Sequence, residues 1–199
     1  MENKEQLKIS EILKKINNSR EQLSALYNLY NASILVAQEE KSSIGSNYEQ
    51  MVDCKNDLTD ISTAILNTEK KERSFVVTKN MGKIKRIGGE MKEIKTSFDT
   101  SFSKFKMALK ECGSLKTEYK KGINDLCKEF KVLIGENPDP MYVKGYNQQL
   151  KIIKTILNKI ELLISNYNVN KNEVESGKER FDNLYSSAED LKSKLESIA

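Results

Sequence analysis

The chain contains no histidine and no tryptophan, and only two prolines occur among its 199 residues. Histidine is the commonest general base and the commonest metal ligand, so its absence removes Ser-His and Cys-His nucleophile pairs. No Gly-rich phosphate loop and no CxxC pair takes its place. We therefore predict a non-enzymatic protein with no catalytic residues, no cofactor and no metal ion.

Long apolar runs are also missing from the sequence. None approaches the roughly 18 residues that a membrane span requires, and the first ten residues, MENKEQLKIS, lack the apolar core of a signal peptide. The cysteines Cys54, Cys112 and Cys127 are odd in number, which indicates reduced thiols. These features predict a cytoplasmic protein and leave leaderless secretion as an alternative.

The residues that are present favour long helices. Charged residues make up 31% of the chain and hydrophobic residues 38%, with nine glycines and two prolines. Abundant Lys, Glu, Leu and Ile with few helix breakers is a composition typical of long helices. The net charge of +4 carries no global signature of polyanion binding.

Apolar residues recur at every seventh position along three stretches of the chain. Additional apolar residues follow three or four positions later, which is the spacing of a coiled-coil seam. The three series run from Ile9 to Ile65, from Ile84 to Leu133 and from Tyr146 to Leu195. Each series predicts one helix with a continuous apolar stripe.

Two breaks separate the series, one over residues 67–82 and one at Pro138 and Pro140. We therefore predict helices over about 5–66, 82–135 and 141–198. Because short connections place successive helices antiparallel, the fold predicted is an all-α, elongated antiparallel three-helix coiled-coil bundle. We predict a single elongated helical domain over 1–199. The alternative is a seam that a second chain completes.

A basic segment lies beside the first break. Between Lys70 and Lys95, nine basic residues minus three acidic ones give a net charge of +6, against +4 for the whole chain. In the predicted bundle this segment forms the tip between the first two helices. We define the basic tip as Lys79, Lys83, Lys85 and Arg86. It is a candidate site for anionic lipid or an acidic protein surface, whereas the lack of interleaved aromatic residues disfavours nucleic acid. A solvated helix flank is the alternative.

Some apolar residues lie off the seams and are candidates for a partner face. These residues are Leu29 and Leu35 in the first helix and Ile152 and Ile156 in the third. A widened apolar stripe on a helix often buries a second surface. The alternative is that the other helices of the bundle cover it. We predict a coiled-coil scaffold or adaptor, a structural protein that binds other proteins, or a second copy of itself as a homodimer, along its helical surface.

Two resemblances suggest other functions. The helix count, helix lengths and basic tip resemble BAR domains, which implies binding to a membrane surface as an alternative. The segment from Tyr185 to Glu189, with three residues between, is similar to the Y-x-x-x-[DE] pattern of leaderless type VII secretion substrates, which are small helical proteins. The companion WxG turn is absent, since the chain has no tryptophan. This second resemblance implies a secreted helical substrate or its partner.

Overall fold

The computed structural model describes residues 2–136 and 140–198. Side chains are described throughout these ranges except at residues 2–9, 12–13, 133–134, 136, 140–143, 146, 149, 153, 156, 163–164 and 166–170. Three long helices account for nearly all of both ranges, and neither contains a strand. The helices are α1 (Glu2–Leu66), α2 (Arg73–Glu136) and α3 (Pro140–Glu196), with a short 3-10 helix at Lys70–Glu72 before α2. The predicted all-α chain with three long helices that pack together is confirmed.

The start of α2 differs from the prediction. The helix begins at Arg73, nine residues before the predicted start at 82, so most of the predicted break is helical. Val77 lies seven residues before Ile84 and is fully buried, so the second apolar stripe starts one heptad earlier. A glycine inside a helix costs about 1 kcal/mol relative to alanine, and burial of the Val77 side chain outweighs that cost at Gly82.

The other boundaries are close to the predicted ones. α1 ends at Leu66 as predicted, and α3 begins with Pro140 in its first position, where a proline costs no backbone hydrogen bond.

Backbone packing groups the chain into two compact units, each of which takes a segment from all three helices. The first unit consists of Met1–Val36 and Met107–Val169, and the second of Ala37–Lys106 and Asn170–Ala199. Each unit is described by itself below. The single domain over 1–199 stays a prediction.

The seven-residue series form the cores of both units. Every member whose side chain is described is buried, from Ile16 to Ile65 on α1, Ile84 to Leu126 on α2 and Ile160 to Leu195 on α3. A stripe of this spacing keeps to one side of a helix, so burying it against two neighbours fixes the rotation of each helix. The predicted seams are therefore confirmed over the described side chains.

In the second unit α1 and α2 run antiparallel. Glu40 of α1 pairs with Lys104 at 3.4 Å, and Asp57 pairs with Lys83 at 3.4 Å. Residue numbers thus rise along α1 while those of the partners fall along α2.

α2 and α3 of the second unit are also antiparallel. The rings of Phe98 and Phe181 stack with centroids 3.7 Å apart and planes 7° apart. The Lys192 side chain crosses Gly88, where a Cβ atom would lie 2.5 Å from the lysine Cε. Gly88 therefore leaves room for the Lys192 side chain of α3 to cross α2.

In the first unit Gly122 also faces a side chain of a neighbouring helix. A Cβ atom on Gly122 of α2 would lie 2.9 Å from Leu23 Cδ2 of α1. Lys120 of α2 and Glu161 of α3 form an exposed ion pair at 3.9 Å. The close contact at Gly122 shows that α1 and α2 pack tightly beside the buried Leu23.

Replacing Phe181 by alanine should lower the free energy of unfolding by about 3–5 kcal/mol, because it leaves a cavity beside Phe98. Phe75→Ala is the matched control, since Phe75 is 73% exposed. The control should change stability by less than about 0.5 kcal/mol. Urea unfolding followed by far-UV circular dichroism measures both. Equal losses would contradict the placement of Phe181 in the core.

Candidate interaction surfaces

All four residues of the basic tip are exposed on α2, within about its first four turns. Two of them have carboxylate partners. Nζ of Lys83 lies 3.4 Å from Asp57, and Nη1 of Arg86 lies 3.2 Å from Glu90. The other two, Lys79 and Lys85, form no ion pair with any residue that the structure describes. Half of the predicted tip therefore keeps an uncompensated charge.

The predicted partner face is exposed where its side chains are described. Leu29 is 53% exposed and Leu35 58% exposed on α1, and Ile152 is 56% exposed on α3. The side chain of Ile156 lies outside the described residues. Leu29 and Leu35 share α1, whereas Ile152 belongs to a different helix. The other helices of the first unit thus leave these three side chains accessible.

The exposed surface around Leu29 and Leu35 is larger than predicted. Ala25, Leu29, Ala32 and Val36 follow one another at helical spacing and are all exposed, with Leu35 beside them. We call these five residues the apolar strip. Prediction from the heptads missed its extent, although one signal was present in the sequence: no charged residue occurs between Glu21 and Glu39.

Two further exposed apolar residues flank the turn between α1 and α2. Leu66, the last residue of α1, is 62% exposed. Phe75, in the first turn of α2, is 73% exposed. Prediction missed Phe75 because residues 67–82 were interpreted as a break, where no helix face can be assigned. Leu66 lies at the end of the first predicted helix and is not a member of its seven-residue series. The basic tip therefore has apolar neighbours as well as charge.

Four charged residues form a closed ring of ion pairs between α2 and α3 in the second unit. Each lysine contacts both aspartates, at nitrogen–oxygen distances of 2.6 to 3.2 Å. We call this ring the charge square; its members are Lys95, Asp99, Lys178 and Asp182. Nζ of Lys95 also lies 5.9 Å from the Phe181 ring centroid, and Nζ of Lys178 lies 5.8 Å from that of Phe98.

The charge square shifts the pKa values of three of its members. Burial would raise the pKa of Asp99 and of Asp182, but hydrogen bonds and charges from the two lysines outweigh it and lower both. Burial would lower the pKa of Lys95, yet hydrogen bonds to both aspartates raise it overall. All three shifts favour the charged forms, so the square holds α2 and α3 together and offers no group poised for proton transfer.

Cys54 and Cys112 have surroundings that keep their thiols protonated. Burial, followed by the charge of Glu90, raises the pKa of Cys54. Burial, followed by the charge of Glu111, raises the pKa of Cys112 to about 11. Reactive cysteines have lowered pKa values, so these two behave as small core residues. Over the described residues, no group of three or more Cys, Asp or Glu side chains is placed to hold a metal ion.

The Y-x-x-x-[DE] segment is part of the helix packing in the second unit. Tyr185 and Glu189 lie one turn apart on α3, and both are half-buried. Burial and then the charge of Glu189 raise the pKa of Tyr185, while the charge of Lys192 opposes them. Nζ of Lys192 lies 3.6 Å from Glu189. A role of this segment in secretion stays a prediction.

The comparisons with known proteins leave the function to be argued from these surfaces. No protein-family model matches the sequence, and no curated protein matches it. Among solved structures, the chain is similar to a computationally designed three-helix bundle, at 15% identity over 100% of this chain and 94% of that one, with a TM-score of 0.43. Within the described ranges, no helix has a stretch long and apolar enough to cross a bilayer.

The pKa shifts set the pH range in which the charge square stabilises the second unit. The lowered aspartate values give stability that is present above the ordinary carboxyl pKa of about 4 and is lost as pH falls through the folded values. The raised Lys95 value gives stability that is present below about pH 10 and is lost as pH rises further. The contribution should therefore be flat between roughly pH 5 and pH 9.

The double variant Asp99→Asn with Asp182→Asn should lose about 1 kcal/mol of stability at pH 7, a small figure because all four side chains are partly solvated. The loss should shrink as pH falls below about 4 and on through the lowered folded values, because protonation then removes the charges that the wild type has and the variant lacks. Urea unfolding at pH 7 and pH 3 measures it. Asp125→Asn is the control, since its pair with Lys128 is exposed. An equal loss at both pH values would contradict the ionic origin.

Proposed function

We propose that the chain is a non-enzymatic helical scaffold that binds another protein, or a second copy of itself, through the apolar strip on α1. The observation that supports this most is the exposure of Leu29 and Leu35, at 53% and 58%, in a segment without charged residues. A helix surface that serves only as a solvated face carries charged side chains, as most of this chain does.

The partner that fits the strip is a helix with an apolar face. The strip's residues repeat at three- and four-residue steps, which is the spacing at which a second helix packs its own side chains. Burying a leucine side chain contributes about 1.5–3 kcal/mol, so Leu29 and Leu35 together supply a substantial part of a micromolar affinity. Glu21 bounds the strip within the first unit and would set the register of a partner with a basic residue at the matching position.

A cytoplasmic location belongs to the same proposal. The protonated, buried thiols of Cys54 and Cys112 support it, because both fit a reducing compartment without any disulfide.

Changing Leu29 and Leu35 to serine together should weaken association by at least about 30-fold, since roughly 2 kcal/mol or more of apolar burial is lost. Self-association is measured by sedimentation equilibrium of the full chain. Binding of another protein is measured by crosslinking in the native cell, followed by mass spectrometry of the crosslinked species.

Met107→Ser is the matched control, because Met107 is 71% exposed in the same unit but lies on α2, away from the strip's helix. It should leave association unchanged, and far-UV circular dichroism should show unchanged helicity for all variants. A chain that stays monomeric and crosslinks to no protein would refute the proposal. So would a double variant that associates as strongly as the wild type.

A further inference from the structure

We propose that the turn between α1 and α2 docks on an anionic lipid bilayer, with Leu66 and Phe75 inserted at the level of the headgroups. The docking surface, which we call the turn patch, consists of Leu66, Lys70, Phe75 and Lys79. All four are exposed. This proposal is separate from the scaffold function, since the apolar strip belongs to the first unit and the turn patch to the second.

The apolar part of the turn patch is unusual for a water-exposed turn. Phe75 is 73% exposed, the highest value among the large hydrophobic side chains that the structure describes as exposed. Leu66, at 62%, lies at the other side of the same short connection. Two large apolar side chains are thus exposed on either side of one short connection, and grouped exposed apolar residues mark interaction sites more often than single ones do.

The backbone that carries these residues is held in place by hydrogen bonds. The Arg73 side chain donates from Nη2 to the Leu66 carbonyl at 3.1 Å and from Nε to the Thr68 carbonyl at 3.2 Å. The Thr68 hydroxyl donates to the Ala64 carbonyl at 2.9 Å. Arg73 thus satisfies carbonyls at the end of α1 that the helix leaves without partners. Leu66 and Phe75 are presented by an ordered turn, which lowers the entropy that binding costs.

The charges around the two apolar residues are mainly positive. Residues 66–79 carry four basic and two acidic residues, for a net charge of +2. Lys85 adds a further charge that is unpaired among the described residues, whereas Lys83 and Arg86 are paired with Asp57 and Glu90. Lys71 is compensated by Glu69 at 3.0 Å. Lys70 and Lys79 form no ion pair within the described part of the chain. Their ammonium groups are therefore available to lipid phosphates and carboxylates.

Helical spacing places charge and apolar surface on one face. Lys79 follows Phe75 by four residues and Arg86 follows it by eleven, so all three lie on the same side of α2. A ring at the headgroup level with ammonium groups beside it matches the two environments of a bilayer interface, since lysine stems extend toward phosphates while the ring contacts acyl chains. Anionic lipid also attracts each lysine near the surface. The chemistry of the turn patch therefore fits an anionic bilayer.

Co-sedimentation of the full chain with vesicles tests the proposal. We expect binding to mixed phosphatidylserine and phosphatidylcholine vesicles, weaker binding at high salt, and little binding to phosphatidylcholine alone. Phe75→Ser should reduce the affinity at least about tenfold, and Lys79→Ala about fivefold. Met107→Ser is the matched control, since its side chain is 71% exposed outside the turn patch, and it should bind as the wild type does.

The absence of tryptophan from the chain allows a direct measurement of insertion. Phe75→Trp introduces a single tryptophan, which can be excited at wavelengths that tyrosine does not absorb. Its emission should shift to the blue on anionic vesicles and be quenched by brominated acyl chains. Met107→Trp should show neither change. Absence of binding to anionic vesicles overturns the proposal, as does binding that Phe75→Ser leaves unchanged. A turn patch that binds an acidic protein but no vesicle also overturns it.

Discussion

Burial of one apolar stripe on each of three helices is the interaction on which the rest of the structure depends. A stripe that repeats every seven residues has to face the two neighbouring helices, so its burial sets the rotation of each helix. The same requirement decides where α2 begins, because Val77 extends the stripe past Gly82 and Asn80. The cost of a glycine inside a helix is about 1 kcal/mol, which is less than the stabilisation from burying Val77.

Stripe burial leaves the axial register underdetermined. A helix that slides by seven residues still buries an apolar residue at each stripe position, so apolar contact alone distinguishes registers weakly. The charge square and the stacked rings of Phe98 and Phe181 provide the missing discrimination in the second unit. If α3 slid by one heptad, each lysine would lose the aspartate on the other helix and keep only the one on its own, and the ring pair would separate. The charge square, although it contributes only about 1 kcal/mol, thus helps the ring pair to specify one arrangement.

The sequence could predict the features that depend on stripe burial, but not those that depend on the axial register. Heptad spacing requires only local counting, and it located the three helices, their stripes and the end of α1 at Leu66. The charge square joins Lys95 to Asp182, which lie far apart in the chain, so the pairing follows from register and could not be found by counting. Exposure of Phe75 depends on the helix face at the start of α2, which the predicted break concealed. The apolar strip was within reach of prediction, because the absence of charge between Glu21 and Glu39 is a local feature.

The apolar strip and the turn patch differ in local charge, and this difference favours different kinds of partner. The apolar strip has no charged residue of its own, so a partner helix can cover it without desolvating an ion, a cost of several kcal/mol for each charge buried. The turn patch places lysines directly beside Phe75, and a tight protein contact there would have to desolvate or pair them. A bilayer interface avoids that cost, because it offers apolar depth to the ring and hydrated anions to the lysines at the same site. Local charge, rather than the amount of apolar surface, is therefore the basis on which we propose a protein partner for the strip and lipid for the turn patch.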